Sequence, residues 1–179
     1  MKFLLPLAMA AAAVGACTTT GMGAAQSGGA AMAAAARTAD AYVRMAASSD
    51  QYEIGSSQMV LGAAQNADVR RFAQMMIDHH TQTTQQLTTA AMAAGLTPPA
   101  APDPSKAAML SALQAAQGTA RERLYVRQQL MAHQEALALH QGYASSGDNA
   151  QLRAVAGQAV PIIQQHLTEI RRINTAMGG

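Results

Sequence analysis

Among its 179 residues the chain has no tryptophan, two phenylalanines, four tyrosines and one cysteine. So few aromatic residues, set against abundant alanine, glutamine, methionine and leucine, disfavour sheet and favour helix. A lone cysteine rules out an intrachain disulfide. Charged residues make up only 12% of the chain, and no Lys/Arg run is interleaved with aromatics. A nucleic-acid interface is therefore not expected. The formal charge of +2 is a small surplus of arginine and not a basic face. Beyond the first residues no apolar stretch approaches the ~20 residues of a membrane-spanning helix. No Gly-rich phosphate loop, alternating strand pattern, internal repeat or Ser–His–Asp arrangement is present, so binding is a more natural expectation than catalysis.

The N-terminus is the first positive signal. Lys2 followed by the apolar run Phe3 to Val14 reads as a secretion signal over residues 1–16. The segment ends Val14-Gly15-Ala16-Cys17, which resembles the lipobox of bacterial lipoproteins, where the cysteine becomes the lipidated N-terminus. An ordinary signal peptide with a chance cysteine is the alternative. On the first reading Cys17 carries the lipid, Thr18 in place of Asp sorts the protein to the outer membrane, and the membrane is reached through that lipid. The expected location is the cell envelope, as an outer-membrane lipoprotein facing the periplasm; the alternative is a soluble periplasmic protein. Residues 17–37, rich in Thr, Gly, Ala, Gln and Ser, form a tether. The remaining stretch, residues 38–177, is the folded domain.

Apolar residues at three- and four-residue steps predict helices over about 38–64, 69–94, 120–144 and 149–176. Residues 105–117 form a further helical segment broken at Gly118. Asn66 or Asp68 is a plausible N-cap for the second helix, and Gly95 is its C-cap. Four prolines between Leu96 and Pro104 mark a loop, and Pro161 lies inside the last helix, where it should kink it. The result is an all-α antiparallel four-helix bundle.

Three histidines occupy apolar stripes on three different helices: His80, His133 and His166. Glu53 lies at the edge of the stripe on a fourth. Polar side chains aimed at a helical core are costly unless they pair with each other or with an ion. Glu53 and His80 are roughly level about the first turn. His133 and His166 flank the second turn unequally, by about five residues or roughly 7 Å; a kink at Pro161 or an uneven turn would shrink that gap, and otherwise Gln129 or Ile162 is the better level match. Glu122 and Glu169 are further candidate ligands, the latter at i+3 from His166. A predominance of imidazole favours zinc, copper or iron over calcium. A neutral His–Glu–Tyr hydrogen-bond network fixing helix register is the competing reading. In residues 75–80, Met-Met-Ile-Asp-His-His, Met76 and His80 share the inner face while Met75 and His79 turn toward the flank. His140 is a second inward histidine or a bundle-end residue. Neither Glu-x-x-His repeat of a di-iron bundle is present, which argues against ferroxidase chemistry.

Residues 49–55 (Ser-Asp-Gln-Tyr-Glu-Ile-Gly), residues 68–81, Tyr125 to His133, residues 152–156, Pro161 and His166-Leu167 together resemble a bacterial family of unknown function labelled as outer-membrane proteins. The resemblance covers about residues 38–175. It implies a ferritin-like four-helix bundle with an export signal, and recurrent polar positions matching Glu53, His80, His133 and His166. Where that family tends to have Phe-Asp before the tyrosine of helix three, this chain has Arg121-Glu122, which loses a packing aromatic. The resemblance implies no established activity.

Overall fold

A computed structural model describes residues 37–179, so the expected leader, Cys17 and the tether up to residue 36 lie outside the described residues. Those described form five helices and no strand: α1 Ala39–Leu61, α2 Ala67–Ala93, α3 Pro104–Ala115, α4 Gly118–Ser146 and α5 Ala150–Ala176. The long helices α1, α2, α4 and α5 make a ferritin-like bundle. None of the described helices is long and apolar enough to cross a membrane.

The ends are set by local chemistry. Thr38 caps α1, its side chain accepting from the Ala41 amide at 3.3 Å. Asn66, not Asp68, caps α2, accepting from the amides of Asp68 and Val69. At the other end of α2, Gly95 adopts φ +73°. There the Leu96 amide donates to Ala91 at 2.9 Å and that of Gly95 to Met92 at 3.0 Å, satisfying carbonyls that the helix leaves open. Asp103 caps α3 with Pro104 at its first position. Pro161 does not interrupt α5. The carbonyl it deprives of a donor belongs to Gly157, and both residues are exposed, so water can take the vacant bond.

Helices α1 and α2 form one antiparallel hairpin and α4 and α5 another. The hairpins pack α1 against α4 and α2 against α5. The α1–α2 turn and the α4–α5 turn lie at opposite ends, since the Asp148 amide reaches the Arg37 carbonyl at the start of α1. The link from α2 to α4 must therefore travel the length of the bundle, leaving α2 and α4 parallel. It runs over α1 and α4. Ser48 donates to Asp103 at 2.6 Å, Lys106 pairs with Glu135 at 2.7 Å, and Gln128 donates to the Met109 carbonyl at 3.1 Å. Among the described residues, no segment covers the α2–α5 seam in this way.

The core has two apolar clusters. One gathers Val60, Val69, Phe72, Tyr125, Ile170 and Ile173 near the α1–α2 turn. The other gathers Tyr42, Val43, Leu87, Leu139, Tyr143 and Leu152 at the opposite end. Between them lies a buried polar layer that includes Asp50, Glu53, His80, His133, His140 and His166.

Candidate metal centre

The three inward histidines converge. One ring nitrogen from each of His80, His133 and His166 lies within 4.8 Å of the others, and all three residues are buried. The five-residue offset expected to separate His133 from His166 is overcome: His133 Nε2 and His166 Nδ1 are 3.2 Å apart. His133 lies 13 residues before the end of α4, and His166 lies 16 after the start of α5. That leaves a rise of about 4.5 Å. Helix side chains lean toward their own N-terminus, which in α4 is away from the shared turn and in α5 toward it. The two rings lean into the gap and close it.

Each ring is held from behind. His80 donates Nδ1–H to Asp50 Oδ1 at 2.8 Å, since a carboxylate only accepts. Asp50 in turn accepts from Thr83 and Thr84. His133 donates Nδ1–H to the Gln129 carbonyl at 2.9 Å, one turn back on its own helix. Both rings therefore present Nε2 lone pairs or protons toward the shared space. His166 Nε2 faces His79 Nδ1 at 2.8 Å, and the two rings stack with centroids 5.1 Å apart and planes 18° from parallel. Phe72 lies edge-on to His166, centroids 6.4 Å apart, and 6.1 Å from His133, walling the cluster on the apolar side.

The electrostatics follow from burial. Desolvation drives His133 down to about 3, and the neighbouring charge of His80 pushes the same way. Desolvation and the nearby imidazoles take His166 to about 2. Both are neutral at physiological pH, the form in which imidazole binds metal. Burial also lowers His80, but its bond to Asp50 and the charges of Asp50 and Glu53 outweigh that and leave it raised. His140, donated to or accepted by the Tyr42 hydroxyl at 3.1 Å, is held down at about 4 by burial.

The candidate carboxylates are placed differently. Glu53 is 1% exposed and stands 3.7 Å from His133 Nδ1, outside the set of converging nitrogens. Burial raises its carboxyl to about 7 against the opposing charge of His80, and neither oxygen has a hydrogen-bond partner. Glu122 accepts from the amides of Gln65 and Asn66, which fastens the α1–α2 turn to α4. Glu169 is held by Arg172 at 2.7 Å on the exposed side of α5. Two residues join the cluster that the sequence placed elsewhere. Asp50 entered the sequence reading only within the motif of residues 49–55, with no role in the site. His79 was expected to turn away to the flank; it is half-buried there, and its ring still reaches His166.

One observation tests whether these residues suit an ion. His80 Nε2 is buried, aimed into the cluster and has no partner. A tetrahedral ion with bonds of ~2.0 Å spaces its ligand nitrogens ~3.3 Å apart, close to the 3.2 Å separation of the His133 and His166 nitrogens.

The sequence profile of DUF4142, a domain of unknown function, matches residues 24–173. The chain belongs to the DUF4142 family. No curated protein is detectably similar in sequence. Solved structures with this DUF4142 fold include a DUF305 fragment from Deinococcus radiodurans, at TM-score 0.68 and 16% identity, covering 77% of this chain and 95% of that one. A DUF305 protein described as secreted, from Streptomyces coelicolor, matches at TM-score 0.66 and 17% identity, over 81% and 97% of the two chains. CopM in its Cu(I)-bound form matches at TM-score 0.66 and 15% identity, over 79% and 99%. CopM has also been determined with Cu(II) and with Ag. At these identities the likeness is one of fold.

Proposed function

We propose that this DUF4142 protein binds a single transition-metal ion between His80, His133 and His166. The observation that carries the reading is the convergence of three buried imidazoles, one with an unpartnered nitrogen aimed at the others. Two of the three are neutral at ordinary pH and so can bind an ion with no net loss of a proton. An imidazole set suits copper, zinc or iron. Copper is the first ion to test, because a protein of the same fold, CopM, is known in copper- and silver-bound forms. Asp50 behind His80 and the Gln129 carbonyl behind His133 fix ring orientation, as outer-shell partners of metal-bound histidine do. Glu53, its carboxyl raised to about 7 by burial, lies on the far side of His133, where it ionises readily beside a bound cation. Metal analysis of protein purified without a His-tag, beside His80→Ala and His133→Ala variants, tests the reading. One ion per chain in the wild type and none in the variants supports it; no ion in any of them ends it.

A second reading has its own observation. His79, His166, His133 and the Gln129 carbonyl make a continuous hydrogen-bonded chain. As a structural network this would fix the register of three helices and require no ion. It leaves His80 Nε2 and both Glu53 oxygens unsatisfied, which is why we place it second.

The remainder concerns location. Residues 1–17 support export and lipidation at Cys17, and a DUF305 protein described as secreted shares the fold. We infer an envelope protein tethered to the outer membrane through Cys17. Cells labelled with a palmitate analogue should yield a labelled wild-type protein and an unlabelled Cys17→Ser protein. Label absent from both would leave a soluble exported domain.

A further inference from the structure

We propose that His79 is the port of the metal centre, the residue through which an ion passes into and out of the three-histidine site. This rests on the reading of His80, His133 and His166 as ligands. Those three residues are 6%, 1% and 0% exposed, so an ion needs a route to them. The described residues leave one side uncovered. Among the described residues, the α2–α4 link and α3 lie across α1 and α4, while no segment covers the α2–α5 seam. Open grooves run along that seam on either side of its middle, one beside Arg71, Met75 and Thr168 and the other beside Gln86, Thr89 and Gln158. Between the grooves sits a cavity of about 20 Å³ lined by His79, His80, Thr83, His140, Ile162 and His166. That is room for one water-sized occupant. Half-buried His79 is the one imidazole of the cluster that also reaches the outside.

The contact between His79 and His166 suits a hand-off. The rings are stacked, and His79 Nδ1 meets His166 Nε2 at 2.8 Å. With His166 Nδ1–H donating to His133 Nε2, His166 Nε2 accepts from His79 and the triad is closed. An ion taken by His166 Nδ1 requires the proton on Nε2, and the facing His79 Nδ1 accepts it as a hydrogen bond. One neighbour thus serves both tautomers of the ligand. Removing a residue on the path raises the barrier to loading, whereas the hydrogen bond that His79 accepts from bound His166 acts on the equilibrium, so the loading rate is the one that reports the path.

The test is stopped-flow exchange of copper(I), kept reduced with ascorbate, between the protein and bicinchoninate, using wild type, His79→Ala and His79→Leu, with circular dichroism to confirm equal helix content. Loading should slow by about tenfold or more, ~1.4 kcal/mol on the barrier, whatever fall in affinity follows from removing the partner of bound His166. The leucine variant keeps the bulk and loses the nitrogens, so it should be at least as slow as the alanine variant. Unchanged rates overturn the proposal. So do faster loading in His79→Ala, which would make the ring a plug, and a loss of affinity carried by unloading alone, which would leave His79 a partner of the bound state and not of the path. A wild type that takes up no copper, or a His133→Ala variant that takes it up normally, instead removes the three-histidine site itself and the port with it.

Discussion

Asp50 Oδ1 accepts a hydrogen bond from His80 Nδ1 at 2.8 Å across the α1–α2 hairpin, with both residues buried. The contact ties the centre to α1, a helix that contributes no imidazole. It fixes which nitrogen of His80 faces the other rings, and it raises the proton affinity of that ring against the pull of burial.

Replacing Asp50 with asparagine keeps the shape and removes the charge. Metal affinity should fall about 10- to 100-fold, the usual cost of losing an outer-shell carboxylate behind a histidine ligand. The His80 titration followed by NMR should move to lower pH, since the Asp50 bond and charge hold it up. An unchanged affinity together with an unchanged titration would remove Asp50 from the site.

The ligand-free protein should lose stability in mild acid. His133, His166 and His140 are held at about 3, 2 and 4 when folded. Below the ordinary histidine value of ~6.5 the unfolded chain takes up protons that the folded chain refuses, so each group contributes a loss of about 1.4 kcal/mol per pH unit. Glu53, raised to about 7, acts in the opposite sense: it is protonated first in the folded state and gains stability as pH falls toward 4.5. His80 is raised, so its contribution is complete below 6.5 and adds no slope there. Three groups oppose one, and the urea midpoint at pH 5 should lie clearly below that at pH 7. Equal midpoints would contradict the buried, neutral state of the rings.

The α4–α5 turn depends on a missing side chain. A Cβ at Gly147 would sit 2.5 Å from the Tyr143 ring, which stacks on Tyr42 with centroids 4.0 Å apart. Gly147→Ala must displace that ring, and overpacking of this kind costs about 1–3 kcal/mol. A thermal melt should show a lowered midpoint, and Tyr143→Leu in the same background should recover part of it. A melt identical to wild type would show that the turn relaxes freely.

How far the sequence disclosed this arrangement varies by residue. The stripes of α2 and α5 follow a clean 3.6-residue period, and His80 and His166 stand out on them because their neighbours are apolar. The α1 stripe is weaker. Ile54 is half-buried, while Tyr42, Tyr52 and Glu53 are fully buried, because α1 is packed by α2 and α4 and is also covered by α3. Periodicity marks one face well and a helix buried on several sides poorly. The His133–His166 offset was misjudged because counting residues along helix axes ignores the opposite lean of side chains on antiparallel neighbours. Asp50 and His79 were missed for a related reason. Each sits one turn or one residue from a position already noted, and only the rotation of one helix against another decides which reaches the ring. The proline-rich link announced a loop, but its run along the whole bundle comes from the placement of the two short turns at opposite ends.

The central claim is that three imidazoles hold one ion in the bundle core. X-ray absorption of the copper- or zinc-loaded protein reads the ligands directly. The expected spectrum has three histidine nitrogens at ~2.0 Å, reduced in number in the His166→Ala variant. A first shell of sulfur at ~2.3 Å, or a spectrum indifferent to His80, His133 and His166, would place any bound ion elsewhere and contradict the assignment.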